Sequence, residues 1–194
     1  MKKIALSDVL DIAEYERRRK EYRARLMKIK DERRIRVGPL ITYLFETFDT
    51  MLYQVQEMTR AERIVEEKAI LAEIETYNEL IPDKNQLSAT MLIEIDNPVT
   101  RLEFLTRTVD LPEHTFLTIN AQKVQPHFDP RQGTAEKLSS VQYVKFNLTD
   151  IQVEKFYDPA SSILFGFDHL LYTHAYELNP QQKKILHEDL SGRI

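Results

Sequence analysis

Two hydrophobic periods divide this chain. In its first part apolar residues recur every three or four positions. Ile12, Tyr15, Tyr22, Leu26 and Ile29, with Arg19 among them, mark one face of a helix. The stripe fits one helix or two meeting near Lys20. Ser7 is a good residue to cap its start, and Leu6 can staple onto the first turn. The run Leu40 to Glu46 is apolar without a period. Pro39 before it suits a first helical position, and the run fits either a short helix or a buried strand, with the helix favoured. Asp49 opens the clearest element. Met51, Val55, Met58, Glu62, Val65 and Ala69 fall on one stripe, and helical character continues through Ile70 and Ile74, which predicts a long helix over about 49-77. Pro82-Asp83-Lys84-Asn85 is turn chemistry and closes the helical half.

Beyond that turn the period falls from 3.6 to 2. Ala89, Met91, Ile93 and Ile95 share one face of a strand, and Asn97-Pro98 starts a helix running to about Val109. Thr115 to Ile119 is a second strand, with Val124 to Phe128 returning across Asn120-Ala121. Asp129 to Ser140 is a polar loop, and Val141 to Leu148 a third strand. Thr149 caps a short helix ended by Asp158-Pro159, and Ser161 to Asp168 is a further strand. Asn179-Pro180 opens a last helix that stops at Gly192. Helices followed by strands with interleaved helices predict an α+β fold, its helical N-terminal half packed on a mixed or antiparallel sheet from the C-terminal half. No linker or repeat interrupts the pattern. One domain over 1-194 is therefore expected, mainly helical in 1-81 and with strands and interleaved helices in 87-194.

Composition removes several classes of chemistry. The 194 residues include no Cys, which excludes disulfides, thiolate zinc sites, iron–sulfur ligation and a Cys nucleophile. The four glycines (Gly38, Gly133, Gly166 and Gly192) are too scattered for a phosphate-cradling loop. No apolar run is long enough to span a membrane, and Asp8 follows Lys2-Lys3 too closely for a cleaved leader, so the cytoplasm is the expected compartment. None of the five histidines stands three residues after a Glu, as a di-iron bundle requires, and no two are spaced i, i+4. Neither metal nor cofactor is expected.

Charge is uneven. Arg17 to Arg36 holds eleven basic against three acidic residues, a net +8, which leaves −12 on the rest of a chain of net charge −4. Such a stretch is either a patch for an anionic partner or a solvated helix face balanced by the seven Glu between Glu57 and Glu79. The overall acidity, and the lack of an aromatic stacking set interleaved with the arginines, argue against nucleic acid.

The most informative charges lie inside apolar stripes. Glu62 sits between Met58 and Val65, and Arg19 between Tyr15 and Tyr22. A buried charge needs a partner, so the two stripes are expected to pack with Arg19 paired to Glu62. Gln54, Glu57 and Arg60 form a neighbouring polar face, and Glu46 lies just upstream. Asp168, His169 and Tyr172 follow the end of an apolar strand, a common place for functional side chains.

The segments Leu44-Phe45-Glu46-Thr47, Gln54-Val55-Gln56-Glu57-Met58 and Arg60-Ala61-Glu62-Arg63-Ile64 resemble an uncharacterised prokaryotic family, domain of unknown function 3501. The likeness continues through Tyr77-Asn78-Glu79-Leu80-Ile81-Pro82 and Leu87 to Ile95, with Arg19, Asp168-His169 and Tyr172 also matching. The family pattern falls on Arg19, Glu46, Gln54, Glu57, Arg60 and Glu62, the same candidate cluster. The resemblance implies no activity. It implies a setting, beside rubrerythrin-like di-iron proteins and an iron–sulfur oxidoreductase, and hence an accessory role in oxidative-stress or redox modules through protein–protein interaction. The alternative is a small enzyme in which Glu57 or Glu62 acts as acid–base group and Arg60 or Arg19 holds an anionic small molecule.

Overall fold

The structure is a computed structural model and describes residues 2–191. Six helices and nine strands follow one another as α1 (Ile12–Glu32), β1 (Arg34–Val37), β2 (Ile41–Phe45), α2 (Phe48–Ala61), α3 (Glu67–Asn78), β3 (Gln86–Ile93), α4 (Pro98–Arg107), β4 (Thr115–Ile119), β5 (Gln122–Val124), β6 (Pro126–Phe128), β7 (Val141–Asn147), α5 (Asp150–Tyr157), β8 (Ile163–His169), β9 (Tyr172–Glu177) and α6 (Pro180–Leu190). The fold class is the expected α+β, with a helical first half followed by strands. The strands form two antiparallel sheets, a five-stranded β1-β2-β3-β7-β6 and a four-stranded β5-β4-β8-β9.

The sheets pack face to face. Tyr43 and Phe45 of β2 and Phe146 of β7 meet Phe165 of β8 at ring-centroid distances of 5.3 to 5.6 Å, offset and edge-on arrangements that suit aromatic quadrupoles. Alternate residues of β3 (Leu87, Ala89, Met91, Ile93) and β7 (Val144, Phe146) face the same core. The chain crosses between sheets at Gln125, where β5 ends one sheet and β6 begins the edge of the other. A second, smaller cluster joins Met51 and Val55 of α2, Ile74 of α3, Ile4, Leu80 and Ile81, with Tyr143 of β7 packed against it. It fixes the helical layer on the outer face of the larger sheet.

Three expectations about elements are corrected. The run Leu40 to Glu46, in which the sequence favours a helix, holds the strand β2 (Ile41–Phe45), buried along its whole length. It is covered by the sandwich core on one side and the helices on the other, so its sequence shows no alternation. The long helix over 49-77 is two helices. Arg63 takes a left-handed φ of 53°, the Ile64 amide donates back to the Thr59 carbonyl, and α3 restarts at Glu67. The cap of α1 is Asp11, whose side chain accepts from the Glu14 amide, while Ser7 lies within a short 3-10 turn. α1 runs without a break at Lys20. The sheet also takes β1 and β2 from the helical half. Their turn needs Gly38 at φ +73°, where a Cβ would stand 2.5 Å from the His174 ring and 2.6 Å from the Tyr172 hydroxyl. α6 ends at Leu190; the expected stop at Gly192 lies outside the described residues.

Candidate functional site

The sequence-derived cluster divides into separate places on the helical layer. Arg19 of α1 does face a carboxylate of α2, but that carboxylate belongs to Glu57. The guanidinium donates in a fork, Nε to Oε1 and Nη2 to Oε2, both at 2.8 Å, and the Tyr15 hydroxyl donates to Oε1 at 2.5 Å. Arg19 holds the Glu57 carboxyl below the usual carboxylate range, while burial pushes the Tyr15 phenol up. Glu62 is the exposed C-cap of α2, and no ion pair reaches it among the described residues. The stripe fails because α2 stops at Ala61, so the phase carried through Val65 and Ala69 never exists. Arg60 reaches Glu16 of α1 at 2.6 Å. Gln54 turns the other way, onto Tyr77 of α3. The neighbouring Gln56, which the pattern did not single out, is buried and clamps the Leu10 backbone with both ends of its amide, at 2.7 and 3.2 Å.

Glu46 lies at the start of α2, buried to 4% exposure. Its two oxygens accept from Thr50 and Thr90, each at 2.6 Å. Burial raises its pKa, opposed by those hydroxyls and by Lys30 nearby. The Lys30 amine stands 5.2 Å from the Tyr53 ring centroid, and its own pKa is lowered by burial. Both Glu46 oxygens are thus satisfied within the protein.

The secondary candidates are also drawn apart. Asp168 and His169 do not pair with each other. His169 Nδ1 accepts from the Leu171 amide at 3.0 Å, so its Nε2 carries the proton that faces Asp110 at 3.1 Å. Asp168 meets His114 at 3.1 Å and Lys123 at 3.4 Å. The other His114 nitrogen lies 3.5 Å from Asp110, which completes a ladder on the surface. Tyr172 is buried as a pin. Its hydroxyl donates to the Val37 carbonyl at 2.6 Å and accepts from the amides of Leu40 and Ile41. Among the described residues, no group of three or more His, Asp or Glu is placed to hold a metal ion.

What remains unspent is the outer face of α1. Arg17 and Arg18 share Glu14, and Arg25 leans toward Asp49 at 3.7 Å. Lys20, Arg23 and Lys28 are exposed and make no ion pair among the described residues. A shallow groove of about 450 Å³ runs along this face, lined by Glu16, Arg19, Lys20, Arg23, Ala24 and Met27. The inner face of the same helix is locked by Tyr15, the Arg19–Glu57 fork, the Tyr22–Tyr53 stack and Leu26. The half-buried charge pair thus sets the rotation of the helix, and the exposed cations point to water.

A family model described as "Protein of unknown function (DUF3501)" matches residues 3–190. A solved structure from Burkholderia pseudomallei K96243, a novel protein of unknown function, superposes with a TM-score of 0.90 at 30% sequence identity, covering 97% of this chain and 100% of that one. No curated protein matches. No helix among the described residues is long and apolar enough to cross a membrane.

Proposed function

The chain belongs to this family of proteins of unknown function, and from its geometry we propose that it is an accessory module docking onto the acidic surface of a partner protein through the outer face of α1. One observation carries the reading: among the described residues, Lys20, Arg23 and Lys28 stand exposed and unpaired on a helix whose opposite face is anchored by a forked ion pair. Complementary charge gives specificity and speeds encounter, and three exposed cations on one rigid helix supply it without loop ordering. The family resemblance makes a rubrerythrin-like di-iron protein or an iron–sulfur oxidoreductase the partner to try first. The rival reading, an enzyme using Glu57 or Glu62, has little support. Both Glu57 oxygens are occupied, and neither carboxylate lines the α1 groove.

The test is capture of those two candidate partners by the intact protein and by a Lys20→Glu, Arg23→Glu, Lys28→Glu variant. Capture that weakens about tenfold or more in the variant, and weakens with added salt, is the expected result. Equal capture by both forms, or capture of neither partner, overturns the reading. Salt-sensitive retention of DNA in place of protein would transfer the face to nucleic acid.

A further inference from the structure

On the helix-bearing side of the larger sheet, the helical layer covers β2 and β3 and leaves part of β7 and the edge strand β6 open. A cleft of about 380 Å³ lies there. The register places Ser88 of β3 opposite Lys145 of β7, and Lys145 in turn opposite His127 of β6, so the three form a row across the sheet. Tyr143, two residues along β7, lines the same cleft. Leu80 and Phe128 supply apolar wall.

Four polar groups meet here without a partner. Among the described residues, neither the Ser88 hydroxyl, the Tyr143 hydroxyl, the Lys145 amine nor the His127 ring makes a hydrogen bond or ion pair within the protein. The Ser88 residue is only 2% exposed, and its side chain lines the cleft. The remaining charges at the rim, Arg131 with Asp129 and Glu79, form one network of net −1. Arg131 forks onto Asp129 and reaches Glu79 at 2.6 Å, so the loop is bridged to the end of α3 and its guanidinium is already used.

We propose that this cleft binds a small organic monocarboxylate, its carboxylate between Lys145 and His127 with Ser88 and Tyr143 as hydroxyl donors, and its apolar body against Leu80 and Phe128. The charge count selects this class. Among the described residues, Lys145 is the one lining cation outside the Arg131 network, and with that network the formal charges of the lining sum to zero. One carboxylate on Lys145 is therefore tolerated, whereas a phosphate monoester brings nearly two charges and would need the arginine that Asp129 and Glu79 already hold. The volume is at the small end of ligand cavities and suits a compact body. Such a site is separate from the α1 face and does not depend on it.

The test is a ¹H–¹⁵N NMR titration of the intact protein with benzoate and hexanoate, set against benzyl alcohol, hexanol and inorganic phosphate. Both carboxylates should give saturable shifts confined to the amides near Leu80, Ser88, His127 to Arg131 and Tyr143 to Lys145. The alcohols should bind about tenfold more weakly or not at all. Lys145→Met should weaken benzoate about tenfold while leaving the rest of the spectrum in place, and Ser88→Ala should weaken it less. The proposal is overturned if neither carboxylate shifts these amides by about 10 mM, if benzyl alcohol binds as well as benzoate, or if Lys145→Met binds normally. It is overturned equally if phosphate binds as tightly as the carboxylates, which would make the cleft a general anion site.

Discussion

Glu57 and Glu62 stand five positions apart on the same stretch of chain, yet their removal has different consequences. Glu57→Ala takes the acceptor from the Arg19 fork and leaves the fully buried Tyr15 with an unpaired hydroxyl. A loss of about 2 kcal/mol is expected, from an unmade buried hydrogen bond and a half-shielded charge pair. Glu62→Ala alters an exposed cap and should stay within about 0.5 kcal/mol. Urea denaturation of the two variants checks the ordering, and equal losses would remove the assignment of the ion pair. Glu46 gives a prediction in pH. Burial raises its pKa, so between the unfolded carboxylate range and the raised native value the folded protein holds more protons than the unfolded one. Stability from this group therefore falls as pH rises through that window. Glu46→Gln keeps an oxygen for Thr50 and Thr90 and removes the titration. The variant should gain in melting temperature on the wild type as pH is raised from about 4 to about 8, and parallel curves would refute the cause given.

At the level of elements, most of the strand half was legible in the sequence. Period-2 alternation located β3, β4 and β7, and Asn97, Thr149 and Asn179 capped α4, α5 and α6 as their side chains promised. Asn120 and Ala121 both adopt positive φ in the tight turn between β4 and β5, which fits a two-residue hairpin. Legibility failed where burial erased the pattern. β2 is enclosed on both faces, so nothing in its run of apolar residues distinguishes strand from helix. β9 carries Thr173 and His174 beside an exposed edge and shows too little alternation to register. The α2–α3 break is carried by backbone conformation at a single arginine, Arg63, for which no propensity rule gives warning. The candidate cluster was legible in type and not in partner. An arginine in an apolar stripe announces a carboxylate, but only the true end of α2 decides whether Glu57 or Glu62 supplies it. The row of Ser88, Lys145 and His127 escaped entirely, because residues on three strands become neighbours only through register.

For the molecule as a whole, the helical and strand halves of the chain are interlocked and not merely apposed. Ile35, Val37, Ile41, Tyr43 and Phe45, all from the helical half, are core residues of the sandwich, and β2 pairs along its length with β3. Arg33 at the end of α1 forks onto Asp189 of α6 at 2.8 and 3.0 Å, a pair buried on both sides that joins the first helix to the last. Burial raises the pKa of Asp189, and such a pair holds only while both partners are present. Cutting the chain in the turn after Ile81 would strip one sheet of two of its five strands and leave Arg33 buried opposite nothing. We therefore expect that fragments 2–81 and 86–191 each lack a cooperative thermal transition when expressed alone, and that mixing them restores the far-ultraviolet circular dichroism of the intact protein. Cooperative unfolding of either fragment by itself would instead make the halves separate domains. The helical layer would then be a detachable cover, and the free face of α1 would have to be considered without the sheet beneath it.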